Sequence, residues 1–189
     1  MLVHLNKAGR TVAIDYREVA PRAARRDMFL DEKGEVVPRR SQLTHLASGV
    51  PGSVAGLLHA LERYGRLDRA TVMAPAIELA QSGFPVSYTL SSTLSSPWGQ
   101  RLLANEAAKS YLFKPDGSAY QPGEILRQHD LAWTLRQIAA RGATGFYEGP
   151  VADRLVAEME RGGGLITRRD LAQYKAVERE PVRGTFKGY

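Results

Sequence analysis

The sequence predicts an α+β fold that is mostly helical, with a β-hairpin at its N-terminal end and a strand at its C-terminal end. Three observations predict it. Two apolar, β-branched runs, MLVHL and TVAIDY, flank the short connection NKAGR at the start of the chain. Through the middle, apolar residues recur at i, i+3, i+4 and i+7, the period of a helix with one buried face. The tail AVEREPVRGTFKGY alternates like an extended strand and is broken at Pro181. The chain has 189 residues, of which 43% are hydrophobic and 24% charged, so it can bury a core.

Each element has its own signals. Asn6 and Gly9 suit the tight connection of the hairpin. Residues 19–48 read as irregular, with a polar turn at Asp31–Glu35 and an exposed loop at Pro38-Arg39-Arg40. So long an irregular stretch is usually functional or packed on another part of the protein. In SVAGLLHALERYG, Val54, Leu57, Leu58 and Leu61 form an apolar stripe, with Ser53 as N-cap and Gly65 as the stop. Pro75 is expected to divide the next segment into a short helix over 68–73 and a second ending near Gly83. Ser87 caps a helix through Leu94, and KPDG at 114–117 is a turn. Asp130 caps DLAWTLRQIAARG, whose Leu131, Leu135 and Ile138 share a face. A helix over 149–160 places Val151, Leu155, Val156 and Met159 together and ends at Gly162-Gly163-Gly164. Thr167 and Asp170 have the spacing of a capping box. Both ends of the chain stop inside apparent strands, so it is expected to be cut at both ends.

Several function classes are excluded or disfavoured. The chain has no cysteine, hence no disulfide, thiolate ligand or cysteine nucleophile. No apolar run approaches the roughly 18 residues of a membrane span. The net charge is +6, concentrated from Arg161 onward, where seven basic residues face three acidic ones. They alternate with acids and apolar positions, no recognition helix or aromatic platform accompanies them, and a solvated basic face is expected instead of a nucleic-acid site. His4, His45, His59 and His129 lack metal-ligand spacing, so no metal or cofactor is expected. The triple glycine follows a helix and has no GxxxxGK[ST] frame. Ser48 to Ser53 lacks the GxSxG frame and reads as a rigid turn feeding a helix.

One residue stands apart. In AIDYREVAP, strand alternation puts Ile14 and Tyr16 on one side and Asp15 and Arg17 on the other. A guanidinium is a planar fork that takes a carboxylate through two parallel hydrogen bonds. Arg17 could grip a ligand carboxylate, or Asp15 or Glu18 could hold it in a structural ion pair. Composition alone favours the ion pair.

AIDYREVAP, RDMFLDEKG, HLASGVPGSVAG, LERYG, APAIELAQSGFPVS, FYEGPVADRLV and GGLITRRDLAQYKAVEREPVRGTFKGY together resemble the γ-glutamyltransferase (γ-glutamyltranspeptidase, glutathione hydrolase) family. They occur in that family's order and span essentially the whole chain. The resemblance implies a partial N-terminal nucleophile (Ntn) hydrolase αββα fold. Residues 1–189 would be a single incomplete domain, the middle of the large subunit of a self-cleaving precursor. A new N-terminal threonine, activated by its own α-amine, would attack the γ-glutamyl amide, and the acyl group would pass to an amino acid, a peptide or water. That threonine, its T-T-H-like context, the small-subunit residues for the α-amine, the oxyanion glycines and an upstream glycine-rich segment have no counterpart here. The chain alone is therefore expected to be inactive. What carries over is the arginine of D-[FYA]-R-E: Arg17 would bind the donor α-carboxylate, with Asp15 and Glu18 flanking and supporting it. This reverses the preference for a purely structural ion pair. The partners implied are glutathione or another γ-glutamyl donor and the small subunit of the same precursor. The location implied is periplasmic or secreted. Ntn acylases and poly-γ-glutamate transpeptidases share this scaffold and remain alternatives, as does a non-catalytic helical binding module.

Overall fold

The computed structural model describes residues 1–188; the predicted C-terminal strand segment extends to Tyr189, which lies outside the described residues. In chain order the elements are β1 (Leu2–Leu5), β2 (Arg10–Asp15), α1 (Arg40–Leu43), α2 (Ser53–Tyr64), α3 (Arg69–Ser82), β3 (Phe84–Pro85), α4 (Tyr88–Ser95) and α5 (Pro97–Gln100). They continue with α6 (Glu106–Leu112), β4 (Ile125–Leu126), α7 (His129–Arg141), α8 (Thr144–Tyr147), α9 (Gly149–Gly162), α10 (Arg168–Gln173) and β5 (Val177–Arg179). Helix dominates and the strands are few, the α+β class that the sequence predicts. The chain forms two compact units, Met1–Arg69 with Gln137–Tyr189, and Ala70–Arg136.

The first unit holds a three-stranded sheet in the order β1-β2-β5. The hairpin forms as predicted: Leu2 pairs with Ala13 and Leu5 with Arg10, and Gly9 turns the connection at a positive φ of 58°. On β2, Val12 and Ile14 are buried and their neighbours are not, the alternation of a half-buried strand. β5 lies antiparallel to β2, with Ile14 opposite Glu178 and Asp15 opposite Val177. Beyond β2 the chain stays extended, and Val19 and Val50 exchange two backbone hydrogen bonds, Val50 N–H to Val19 O at 2.8 Å and Val19 N–H to Val50 O at 3.3 Å.

The core of this unit gathers Val50, Tyr147, Ala152, Val156, Met159, Ile166 and Leu171. Helix α9 contributes the predicted stripe, and Gly163 ends it in the left-handed conformation at φ 70°. The capping box is present at α10: Asp170 N–H donates to Thr167 Oγ1, and Thr167 N–H donates to Asp170 Oδ2 at 2.9 Å. Asp170 also accepts from the Arg22 backbone N–H at 3.0 Å, tying the loop after β2 to this cap. The predicted turn at Asp31 is formed by its carboxylate accepting from the N–H groups of Lys33 and Glu35. At the edge of the unit, the Arg69 guanidinium donates to the carbonyls of Ala139 and Ala140. The residue that leaves the unit is thereby clasped to the segment that returns to it.

The second unit packs Leu94, Phe113 and Ala119 with Leu90, Leu102, Leu103 and Leu112 around them. Ser87 caps α4 as predicted, accepting from Leu90 N–H at 3.1 Å. The KPDG turn closes through Gly117 N–H to Lys114 O at 2.8 Å, with Gly117 at φ 82°. β3 and β4 form a short antiparallel pair.

Three element expectations are corrected. Pro75 does not divide α3, which runs unbroken from Arg69 to Ser82. Proline forfeits one backbone hydrogen bond inside a helix, but the good helix formers around it, Met73 and Ala74 before it and Ala76, Glu78, Leu79 and Ala80 after it, carry the helix across. Ser53 is the first residue of α2 and Gly52 takes the cap position, with no side-chain cap. A Cβ at residue 52 would sit 2.0 Å from Tyr174 Oη and 2.1 Å from the Tyr16 carbonyl, so no capping side chain fits. Asp130 lies inside the first turn of α7, and the inward stripe is Ala132, Leu135 and Ile138, with Leu135 half-buried and the other two buried, while Leu131 is exposed. Ala132, the smallest residue of the first turn's apolar pair, takes the most closely packed place.

Candidate functional site

Arg17 sits two residues past the end of β2, where the chain is extended but no longer paired in the sheet. Its side chain is 81% exposed. Its backbone, by contrast, is held at both ends. The Arg17 N–H donates to Asp15 Oδ1 at 3.2 Å, and the Arg17 carbonyl accepts from Tyr174 Oη at 2.8 Å. Since the peptide units on either side are fixed, the Cα–Cβ direction is fixed too, and only the long side chain remains free to sample rotamers.

The ion pair left open by the sequence is made by Glu18 and not by Asp15. Glu18 Oε1 lies 3.3 Å from Arg17 Nε. Both groups are mostly solvated, so the pair adds little stability. Its effect is orientation: the Nε edge of the fork is occupied, and the edge formed by the two terminal nitrogens is left for another carboxylate. Asp15 is turned to a different cation. Its Oδ2 accepts from Arg179 Nε at 2.8 Å. The Arg179 hydrogen bond, then the Arg17 backbone N–H, holds the Asp15 carboxyl below the usual range.

The opposite wall comes from the GVPGSVAG stretch, and its glycines explain themselves by contact. A Cβ on Gly49 would lie 2.9 Å from Glu18 Cγ, and one on Gly56 would lie 2.2 Å from Tyr16 Cγ. With Gly52 these positions let the head of α2 press against the Tyr16–Glu18 backbone. Between them is a cleft of about 490 Å³, with Asp15, Arg17 and Glu18 on one side and Gly49, Pro51, Gly52 and Ser53 on the other. Ser53 begins α2, so the positive end of that helix dipole reinforces the guanidinium on the cleft wall. A carboxylate is the ligand such a surface suits.

Two tyrosines support the site from the core. Tyr147 Oη donates to the Pro51 carbonyl at 2.8 Å and accepts from the Ala55 N–H at 3.2 Å. It thereby does for α2 what the missing cap would have done. Burial pushes the Tyr147 phenol up to about 12, so it keeps its proton throughout the neutral range. Tyr174 stacks on Tyr147 with ring centres 5.7 Å apart, and its hydroxyl reaches Arg17. A continuous line of contacts thus runs from the buried core to the Arg17 peptide.

The sequence singled out Arg17, Asp15 and Glu18, and the structure brings these three together. It did not single out Tyr147, Tyr174 or Arg179 for the site. Tyr174 and Arg179 come 157 and 164 residues after the groups they touch, and no local pattern links them. The histidines are engaged elsewhere: His45 with Glu158 at 2.7 Å, His59 with Glu178 at 2.8 Å, His4 with Thr11 at 3.0 Å and His129 with Gln81 at 3.1 Å. Several cations of the basic C-terminal stretch face acids, Arg168 on Asp153 and Arg161 on Glu158 among them. Among the described residues no cluster of three metal-binding side chains forms, and no helix is long and apolar enough to cross a membrane.

Comparison with known proteins gives a consistent picture. The family model described as gamma-glutamyltranspeptidase matches residues 1–189. The glutathione hydrolase proenzyme of Escherichia coli (strain K12) is 44% identical over 184 residues, which are 97% of this chain and 32% of that protein. The acylase ACY 1 proenzyme of Pseudomonas sp. (strain SE83) is 38% identical over 195 residues, covering 100% of this chain and 35% of that one. Among solved structures, Helicobacter pylori gamma-glutamyltranspeptidase superposes with a TM-score of 0.92 at 42% identity, covering 100% of this chain and 54% of that chain. The chain spans about a third of the length of the curated relatives it matches.

Proposed function

The chain belongs to the γ-glutamyltranspeptidase family, an enzyme family, and on that premise we propose that it supplies the donor-anchoring part of a γ-glutamyl-transferring enzyme. The donor is glutathione or a related γ-glutamyl compound, and the acceptor is an amino acid, a peptide or water. The chain acts as part of the large subunit of a precursor that cleaves itself. The nucleophilic threonine comes from the small subunit, outside these residues, and the two compact units are parts of one larger domain. The relatives' designation as proenzymes and the share of their length covered here support that reading. A periplasmic or secreted location belongs to the same proposal.

The observation that carries the proposal is Arg17. Its side chain is exposed and paired only with the solvated Glu18, its backbone is fixed, and it lines the cleft. A γ-glutamyl donor carries a free α-carboxylate next to its α-amine, several bonds from the scissile amide. Gripping that carboxylate orients the amide for attack, a positioning contribution to catalysis. Arg17→Ala or Arg17→Lys in the full-length protein is expected to raise KM for γ-glutamyl donors far more than it slows self-cleavage. Lysine has no planar fork with which to replace the contact. Donor kinetics unchanged in both variants would remove the assignment.

The acylase relative, matched over the whole chain, favours one second reading: the same scaffold with a different acyl pocket. The free α-carboxylate argument sets γ-glutamyl donors above glutaryl ones. A donor panel on the full-length protein separates the two, since an acylase would turn over glutaryl amides faster.

A further inference from the structure

We propose that Arg179 is a positioning residue for donor binding: by engaging Asp15 it keeps the Arg17 guanidinium free for the substrate carboxylate. The inference rests on the donor-anchoring reading of Arg17 and adds a second residue to it.

Asp15 is the natural competitor for Arg17. The two are separated by one residue in an extended stretch, so their side chains leave the same side of the chain. They are already in contact, through the Arg17 N–H and Asp15 Oδ1. An Asp15 carboxylate with no other partner would have a guanidinium within reach, and a charge-assisted pair of that kind is among the stronger polar contacts available. In the structure the outcome is different. β5 lies beside β2 with Arg179 opposite Ala13, two residues before Asp15. From there the Arg179 guanidinium reaches across to Asp15 Oδ2 at 2.8 Å. Both oxygens of Asp15 are then in use: one holds the Arg17 backbone in place, and the other is neutralised by Arg179. Glu18, the remaining acid on the cleft, approaches Arg17 at Nε, 3.3 Å away.

Arg179 is itself anchored on β5, where the adjacent Glu178 accepts from His59 Nε2 at 2.8 Å and from Tyr64 Oη at 2.5 Å on α2. The ER pair thus divides two tasks on opposite faces of one short strand. Glutamate fastens the strand to the helix, and arginine occupies the aspartate. The ion pair between Arg179 and Asp15 is well exposed, with side chains 62% and 38% accessible. A large contribution to stability is therefore not its purpose.

The test uses the full-length protein and a chromogenic γ-glutamyl anilide. Arg179→Ala is expected to raise donor KM roughly tenfold, the scale of one lost or diverted hydrogen bond to a charged group. Self-cleavage and melting temperature should stay close to those of the parent. Arg179→Lys should preserve most of the affinity, because a cation suffices to occupy Asp15. Asp15→Asn introduced into Arg179→Ala should bring KM back toward the parent value, since the amide can still accept from the Arg17 N–H but no longer captures its guanidinium. Arg179→Gln gives the same reading if the alanine variant does not accumulate. An unchanged KM in Arg179→Ala alongside a raised KM in Arg17→Ala would overturn this inference alone. An unchanged KM in Arg17→Ala would overturn both readings. A double variant no better than Arg179→Ala would also overturn it, because Arg179 would then act by a route other than Asp15.

Discussion

At the scale of single residues, the site is an exposed arginine side chain, paired with Glu18, on an immobilised peptide. Of the groups that immobilise it, those nearest Arg17 are predicted to matter most for donor binding. Tyr174→Phe removes the hydroxyl that holds the Arg17 carbonyl, a contact worth about 1 kcal/mol. It should raise donor KM about fivefold in the full-length protein, with kcat changed less. Tyr147→Phe leaves the Pro51 carbonyl without its donor and the Ala55 N–H without its acceptor, both beside the buried core. Its signature should be loss of stability, about 1–3 kcal/mol by urea unfolding. The two substitutions, each deleting one oxygen from stacked rings, should therefore separate kinetics from stability. Arg17 was conspicuous in the sequence as an arginine between two acids, but the residues alone favoured a structural ion pair, and only the family resemblance gave it a ligand role. Its supports were not conspicuous, because a tyrosine reads as core and only three-dimensional closure brings its hydroxyl to the Arg17 peptide.

At the scale of elements, the head of α2 is set by what cannot be there. Gly52→Ala would put a methyl group against the Tyr16 backbone carbonyl, which cannot rotate away, and should destabilise the protein by about 3 kcal/mol or prevent folding. Gly49→Ala meets chiefly the Glu18 side chain, at 2.9 Å, with the Val19 carbonyl at 3.3 Å, and should be milder in the same unfolding measurement. The sequence suggested Ser53 as the cap because serine is a good cap. The contact between Gly52 and two tyrosines overrides that preference, and nothing local announces it. Periodicity did locate α2, α4 and α9, since each has a strong apolar stripe or a cap. It misjudged Pro75, where flanking propensity outweighs one lost bond. The link between α9 and the loop before α2 is electrostatic. Arg161, then His45, holds the Glu158 carboxyl near 2, below its ordinary 4.5. A depressed carboxylate contributes stability above its unfolded value and loses it as pH falls through the folded one. Glu158→Gln should therefore flatten the acid limb of a pH–stability curve between 4.5 and about 2 by lowering stability modestly in the neutral region, while leaving the most acidic end little changed.

At the scale of the molecule, the α+β class was readable from the order of strand and helix signals, whereas the division into two units was not. That division depends on which helices pack together, and each amphipathic stripe states only that it needs a partner. Leu57, Leu67, Leu79, Trp98, Val182 and Phe186 are all more than half exposed, and on the large-subunit reading further protein covers part of that surface. The polypeptide 1–189 by itself is accordingly expected to bind a hydrophobic dye strongly and to show no γ-glutamyl hydrolysis, both measurable on purified material. An active, dye-silent product would contradict the large-subunit reading. The clasp of Arg69 on Ala139 and Ala140 bears on how such a chain changes over time. Because departure and return are tied at one point, the intervening stretch behaves as a cassette. Lengthening, shortening or exchanging it leaves the sheet and its arginine where they are, so length differences among homologous chains should concentrate between residues 70 and 136.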